Sequence, residues 1–226
     1  LGRVLSMFSF VYKLYFNYKR YLIDFKPDIV IASSTYPLDI YPAHRVAKHY
    51  TAKLIYEVHD LWPLSLMELG GYSANHPFIR MMQKAEIDCY KYVDAVVSML
   101  PKAEQHMREY GLTKGKFNYV PNGIVLSDWN YPKSIPEEHE LLLNKLRKNG
   151  KFIIGFTGAH GIANSLYAVI DAVAGLSSQD IVLVLVGNGQ EKGNLMKYVQ
   201  KSKINNVYFL PPINKLAIPL LLIKMD

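Results

Sequence analysis

A chain of 226 residues, half of them hydrophobic and 20% charged, can bury a core and is not a disordered polymer. Its one cysteine, Cys89, excludes an internal disulfide framework and an all-cysteine zinc site. The 26 Lys and Arg against 19 Asp and Glu give a net charge of +7, which points to anionic partners of some kind: nucleic acid, phosphorylated substrates or lipid.

No basic, apolar, small-residue leader follows Leu1, and no apolar run reaches the roughly 18 residues of a membrane span. The most apolar region, residues 4–25, is broken by Lys13, Asn17, Lys19, Arg20 and Asp24. Val4, Phe8, Val11, Tyr15, Tyr18 and Leu22 recur at helical spacing. Two readings stay open for residues 1–26. One is an aromatic, basic helix in peripheral contact with an anionic membrane; the other is a core-packing helix with solvated lysines.

Asp28–Ser33 is a short β-branched run that predicts a buried strand. A helix over 38–50 follows, with Ile40, Ala43, Val46 and Ala47 on one face. Further strands are predicted at 53–58, 94–98 and 117–120, and helices at 77–92 and 101–110. This alternation means parallel βαβ units. The polar stretch 127–150 interrupts it, with a short helix at 137–148. The rhythm restarts with strands at 152–157, 180–186 and 207–210 and helices at 164–176 and 191–202. The helix of 164–176 carries an apolar stripe of Leu166, Val169, Ile170 and Val173. Residues 216–226 read as a helix cut off as it starts, so the chain is expected to be a piece of a longer protein. The expected fold class is α/β, with two incomplete Rossmann-like halves: residues 1–130, a linker with a short helix at 131–150, and residues 151–226.

Candidate chemistry gathers at predicted strand ends. Gly155, Gly158 and Gly161 are spaced by three around a strand-to-helix turn, where backbone N–H groups and a helix N-terminus can meet a phosphate. His160 and Asn164 add hydrogen-bond donors. The spacing is neither a dinucleotide fingerprint nor a P-loop, and a ligand-free tight turn is the other reading. Gly187-Asn188-Gly189 closes the next strand, and parallel strands put both turns on one carboxyl edge. Glu57, His59 and Asp60 cluster at the end of the 53–58 strand, before Trp62-Pro63, with Glu57 and His59 expected on one face and Asp60 facing away. The seven histidines include no metal-binding pair, no hydrolase elbow occurs, and no nucleic-acid module accompanies the lysines of 192–203.

Taken in order, KPDIVIASSTYPL, YEVHDLWPLSL, VVSMLPKAEQHM, YVPNGI, GFTGAHGIANSL, LVLVGNGQEKGNL and VYFLPPINK resemble the retaining glycosyltransferases of family 4, most closely the bacterial capsule and O-antigen branch. The resemblance covers nearly the whole chain. It implies the glycosyltransferase B fold of two Rossmann-like domains, an acceptor-side N-terminal half and a donor-side C-terminal half, with reaction in the cleft. It implies a nucleotide-sugar donor, UDP- or GDP-linked, no metal or other cofactor, a lipid-linked saccharide acceptor, no nucleic acid, and a cytoplasmic place at the inner face of the plasma membrane. By resemblance the donor diphosphate lies near Gly158, Ala159, His160, Gly161 and Asn164. The nucleotide lies toward Gly187 and Gly189, and the base borders Pro212 and Ile213. His59 and Asp60 lie near the transferred sugar and attacking hydroxyl, with Glu57 and Trp62 on the acceptor side.

Three departures from the family pattern stand out. The basic residue usual after the first C-terminal loop is replaced by Ile162-Ala163-Asn164-Ser165. The later glutamate pair would follow Asp226, and the opening strand and glycine loop would precede Leu1. The expectation is that this chain alone transfers little or no sugar. A non-catalytic nucleotide-sugar-binding module and an inactive remnant are the alternatives.

Overall fold

The structure is a computed structural model, and it describes residues 2–176 and 180–226. It contains two compact units, residues 1–123 and 124–226. The first unit begins with helix α1 (Gly2–Tyr21) and carries strands β1 (Ile29–Ala32), β2 (Lys53–Val58), β3 (Ala95–Ser98) and β4 (Phe117–Tyr119). These pair in that order, all parallel. Helix α2 (Ile40–Tyr50) connects β1 to β2. The short α3 (Leu64–Glu68) and the long α4 (Pro77–Tyr92) connect β2 to β3, and α5 (Ala103–Glu109) connects β3 to β4.

The expected apolar face of α2 is the one that packs: Ile40, Ala43 and Ala47 are buried with Leu54, Tyr56 and Val96 of the sheet, and Val46 is buried too. Met82, Ala85 and Cys89 form the buried face of α4, while Ile87 stays exposed. The stripe expected on α1 is only partly interior. Tyr18 is buried and Met7 and Val11 pack on Leu38 and Met82, but Phe8 is exposed. Arg45 of α2 lies over the Tyr15 ring, 4.4 Å from its centroid, and pins this side of the helix.

The second unit carries α6 (Leu126–Asn130), α7 (Glu137–Lys148), β5 (Phe152–Thr157), α8 (Leu166–Ala174), β6 (Ile181–Val186), α9 (Lys192–Lys201), β7 (Val207–Leu210) and α10 (Ile218–Ile223). The sheet order is β5-β6-β7, parallel. Central β6 reads Ile-Val-Leu-Val-Leu-Val and is buried on both faces, as its unbroken apolar run requires. Its Val182, Val184 and Val186 join Leu143 and Leu146 of α7 and Leu221 of α10 in one core. Its Leu183 and Leu185 join Leu166, Ile170 and Val173 of α8 and Leu195 of α9 in another. Helix α7 has Glu137, Glu138 and Glu140 in its first turn and Lys145, Arg147 and Lys148 in its last, which matches the helix dipole. Sequence periodicity missed α3 and α6, five residues each, because neither is long enough to show a period. Val169, expected in the α8 stripe, is exposed. Gly155 lies within β5, as expected, and its missing side chain leaves room for Met225.

Candidate functional site

Strands β5 and β6 end level, with Thr157 opposite Val186, so the segments that follow leave from the same carboxyl edge. The backbones of the two loops then join. Gly158 N–H donates to the Val186 carbonyl at 3.0 Å and His160 N–H to the Asn188 carbonyl at 2.9 Å. The His160 carbonyl accepts from Glu191 N–H at 3.0 Å. This approach is too close for side chains at Gly187 and Gly189, and Gly187 also has φ +149°. The glycines of the second loop are therefore explained by contact with the first loop as well as by any ligand. Asn188 and Gly189 are exposed at the tip, as are Gly158, Ala159 and Asn164, while Gly161 is half-buried. Asn164 Nδ2 donates to the Ala159 carbonyl at 2.6 Å and closes the first loop on itself.

The helix does not follow the first loop directly. A 3-10 turn over Ile162–Asn164 intervenes, and α8 starts only after Ser165, a non-glycine residue at φ 47°. Such a conformation carries strain of about 1–3 kcal/mol and concentrates at functional loops. A cavity of about 300 Å³ lies here, lined by Gly161, Ile162, Ser165, Tyr167 and Glu191 among others.

The His160 ring, suggested by the sequence as a phosphate donor, is fully buried instead. It lies near the rings of Phe156 and Phe209, with centroids 6.1 and 6.2 Å away. Neither ring nitrogen has a hydrogen-bond partner. Burial, and secondarily Lys192, lowers its pKa from the ordinary 6.5. Its main-chain groups join the loops; its ring fills the space beneath them.

Sequence reasoning missed Lys192. Its Nζ donates to the carbonyls of Gly187 at 2.7 Å and Leu210 at 2.9 Å, placing a positive charge under the second loop. Burial lowers its pKa. The signal was in the sequence, a lysine five residues after a strand-end glycine, but it read as part of a solvated run. Ile213 follows β7 and packs against the α7 and α10 core. The nearby Pro211 carbonyl is held by buried His139 Nε2 at 2.9 Å.

In the first unit Glu57 and His59 come together and Asp60 does not join them. His59 Nε2 lies 3.6 Å from Glu57 Oε2. Ser33, just past β1 and not singled out by the sequence, sits between them: its Oγ donates to Glu57 Oε2 at 2.5 Å and lies 3.1 Å from His59 Nε2. β1 and β2 are paired with Ala32 opposite Tyr56, and this register sets Ser33 beside Glu57. Asp60 instead accepts from the Ser65 hydroxyl at the start of α3. Trp62, joined to Pro63 by a cis peptide, lines a cavity of about 520 Å³ with Ser6, Met7, Phe10, Thr35 and Tyr36. Asp39 is buried behind the Ser33–Tyr36 segment. Its Oδ2 accepts from Ser34 N–H at 3.0 Å and its Oδ1 has no partner. Burial raises its pKa above the ordinary 3.8, against the lowering effect of Ser34.

Among the described residues no group of three His, Cys, Asp or Glu could hold a metal ion, and no helix is long and apolar enough to cross a membrane.

Comparisons with known proteins fit this layout. A family model described as Glycosyltransferase Family 4 matches residues 2–128. No curated protein matches the chain. Among solved structures, sucrose-phosphate synthase from Thermosynechococcus elongatus aligns over 97% of this chain and 54% of its own, at 16% identity and TM-score 0.74. HepE of Anabaena, solved in complex with UDP and glucose, aligns over 88% of this chain and 51% of its own, at 18% identity and TM-score 0.61. The apo form of WaaB, a lipopolysaccharide outer core galactosyltransferase, aligns over 97% and 54%, at 16% identity and TM-score 0.59. The chain thus spans about half the length of these structures, and at such identities the likeness is one of fold: two parallel α/β sheets of glycosyltransferase B type. The family model covers more than half of the chain, and the chain belongs to glycosyltransferase family 4.

Proposed function

We propose that this chain forms part of a retaining glycosyltransferase of bacterial cell-surface polysaccharide synthesis, of capsule or O-antigen type. It would move a hexose-type sugar from a UDP- or GDP-linked donor to a lipid-linked saccharide acceptor at the cytoplasmic face of the plasma membrane. In this reading residues 151–226 take the donor, residues 1–130 take the acceptor, and residues 131–150 join them.

The observation that carries the reading is the pair of glycine loops joined main chain to main chain on one sheet edge, with Lys192 beneath them. A nucleoside diphosphate leaving group gains negative charge as the glycosidic bond breaks. A loop already fixed by its own main-chain hydrogen bonds and a nearby ammonium can stabilise that charge without reorganising at the moment of reaction. The exposed loop at Gly158, Ala159 and Gly189, with Gly187 buried beneath it, is assigned to the diphosphate and nucleotide, and Ile213 to the border of the base. Lys192 takes the part of the basic residue missing at 162–165, acting from below. UDP in HepE favours a uridine donor. On the acceptor side, His59 is assigned to a substrate hydroxyl, Glu57 and Trp62 to the acceptor wall, and Asp60, through Ser65, to the shape of the loop that carries them.

Helix α1 supports a membrane surface. Opposite its packed side, Leu5, Phe8, Tyr12 and Phe16 are exposed, flanked by Lys13, Lys19 and Arg20. Aromatic residues with a basic rim suit an anionic interface.

Calorimetric titration with a panel of UDP- and GDP-sugars tests the donor assignment. Saturable binding of one nucleotide class is expected, and silence across the panel defeats it. A radiolabelled-sugar transfer assay with lipid-linked acceptors then separates transfer from binding alone. Because the chain spans about half of the structures it matches, binding without transfer would assign it as a sugar-nucleotide-binding module. Sedimentation with phosphatidylglycerol vesicles at low salt tests α1.

A further inference from the structure

Ser33 has one proton, and at 2.5 Å it goes to Glu57 Oε2. The contact of Ser33 Oγ with His59 Nε2 at 3.1 Å must then run the other way, with the imidazole donating. The carboxylate 3.6 Å from the same nitrogen favours a proton there as well. A neutral imidazole with Nε2–H has its lone pair on Nδ1, and which ring nitrogen is protonated is set by the bond the other partner makes. The His59 side chain is 44% exposed, which leaves room for a ligand beside the ring.

We propose that Ser33 and Glu57 are positioning residues: the chain Glu57–Ser33–His59 fixes His59 as the Nε2–H tautomer, and His59 Nδ1 thereby accepts a hydrogen bond from a hydroxyl of the bound saccharide. This rests on the transferase reading for the identity of the hydroxyl, but not for the tautomer. The arrangement differs from a hydrolytic triad. There the carboxylate holds one imidazole nitrogen and the serine faces the other. Here serine and carboxylate share the Nε2 side, so Ser33 is a bridge and not a nucleophile. The three residues come from the ends of two adjacent parallel strands: alternation sets Glu57 and His59 on one face, and the β1–β2 register brings Ser33 to them.

The test is a long-range 15N–1H correlation of the imidazoles in the 226-residue chain, with the His59 signals identified by their loss in His59→Asn. The wild-type ring is expected as Nε2–H at neutral pH. Ser33→Ala is expected to give a mixture of tautomers, and Ser33→Thr, which keeps the hydroxyl, to restore the single form. Glu57→Gln should weaken the preference. All these side chains are half-buried or exposed, and unchanged melting temperatures will show that the variants are folded. A wild-type Nδ1–H ring, or a tautomer unaltered by Ser33→Ala, overturns the proposal. If the tautomer behaves as expected, methyl glycosides should shift the His59 Nδ1 signal in the wild-type chain, and Ser33→Ala should weaken that shift while leaving nucleotide-sugar binding unchanged. A fixed tautomer whose Nδ1 signal no glycoside moves refutes the saccharide contact. A fixed tautomer and a shifted Nδ1 in a chain that binds no nucleotide sugar refutes the transferase reading instead.

Discussion

A β-carbon placed on Gly187 would lie 1.9 Å from the carbonyl oxygen of Gly158. The two loop tips of the second unit touch backbone to backbone, and the absence of a side chain at Gly187 is what permits it. Gly187→Ala must part the loops or distort φ from +149°. The expected cost is about 1–3 kcal/mol, read as a lower midpoint of urea unfolding, with loss of nucleotide-sugar binding. Gly161→Ala is the control. Nothing lies within 4 Å of its would-be β-carbon, and its φ is −116°. Equal losses of stability from both substitutions would show that loop contact is not the reason for the glycine.

Lys192 is expected to matter for the loop as well as for charge. Lys192→Met removes two hydrogen bonds to the Gly187 and Leu210 carbonyls. With solvent screening discounted, that is about 1–2 kcal/mol. Lys192→Arg should recover less than the full amount, since a planar fork does not replace a compact ammonium. Binding of UDP to the Met variant should fall further than its stability does. A Met variant that binds like wild type would remove Lys192 from the donor site.

Asp39 makes a pH prediction with a definite sign. Its folded pKa is raised by burial, so the folded chain holds this proton to a higher pH than the unfolded chain does. Its contribution is fully present below 3.8 and is lost as pH rises through the folded value. Asp39→Asn keeps an oxygen for Ser34 N–H and removes the charge. The variant should therefore gain stability over wild type as pH rises above 3.8, with the gap levelling off toward neutrality. Urea unfolding across pH 4–7 measures it, and a gap independent of pH rejects the buried-charge explanation.

His160 runs the opposite way. Its pKa is lowered, so its contribution is present above 6.5 and is lost as pH falls through the folded value. His160→Leu removes two unpartnered buried nitrogens from beside Phe156 and Phe209. It should stabilise the chain by about 1 kcal/mol or more and flatten the acid limb below pH 6.5. If the ring instead reaches a phosphate, the same substitution abolishes nucleotide binding, a clear contrast by titration.

Much of the fold was legible in the residues. Strands such as Ile181–Val186 are apolar throughout because both faces are covered, and Pro77–Tyr92 and Glu137–Lys148 show helical period over enough turns to be read. The glycine turns and the Glu57–His59 cluster were found because strand ends in parallel sheets share an edge. The contact between the two loops, the burial of the His160 ring and the turn of Asp60 toward Ser65 were not legible, since each depends on a neighbour distant in sequence or on a local turn too short to carry a pattern.

The sequence by itself determined the alternation of strand and helix, the parallel sheets that follow from it, and the chemistry available at their carboxyl edges. Those follow from local periodicity and residue type. Only the tertiary structure decided that Ser33 stands between Glu57 and His59 and that Lys192 lies under Gly187. For Ser33 the reason is strand register: a one-residue change in how β1 meets β2 would leave every local pattern intact and turn Ser33 to the other face of the sheet; for Lys192 it is the pairing of β6 with β7, which sets the Gly187 and Leu210 carbonyls within reach of one ammonium.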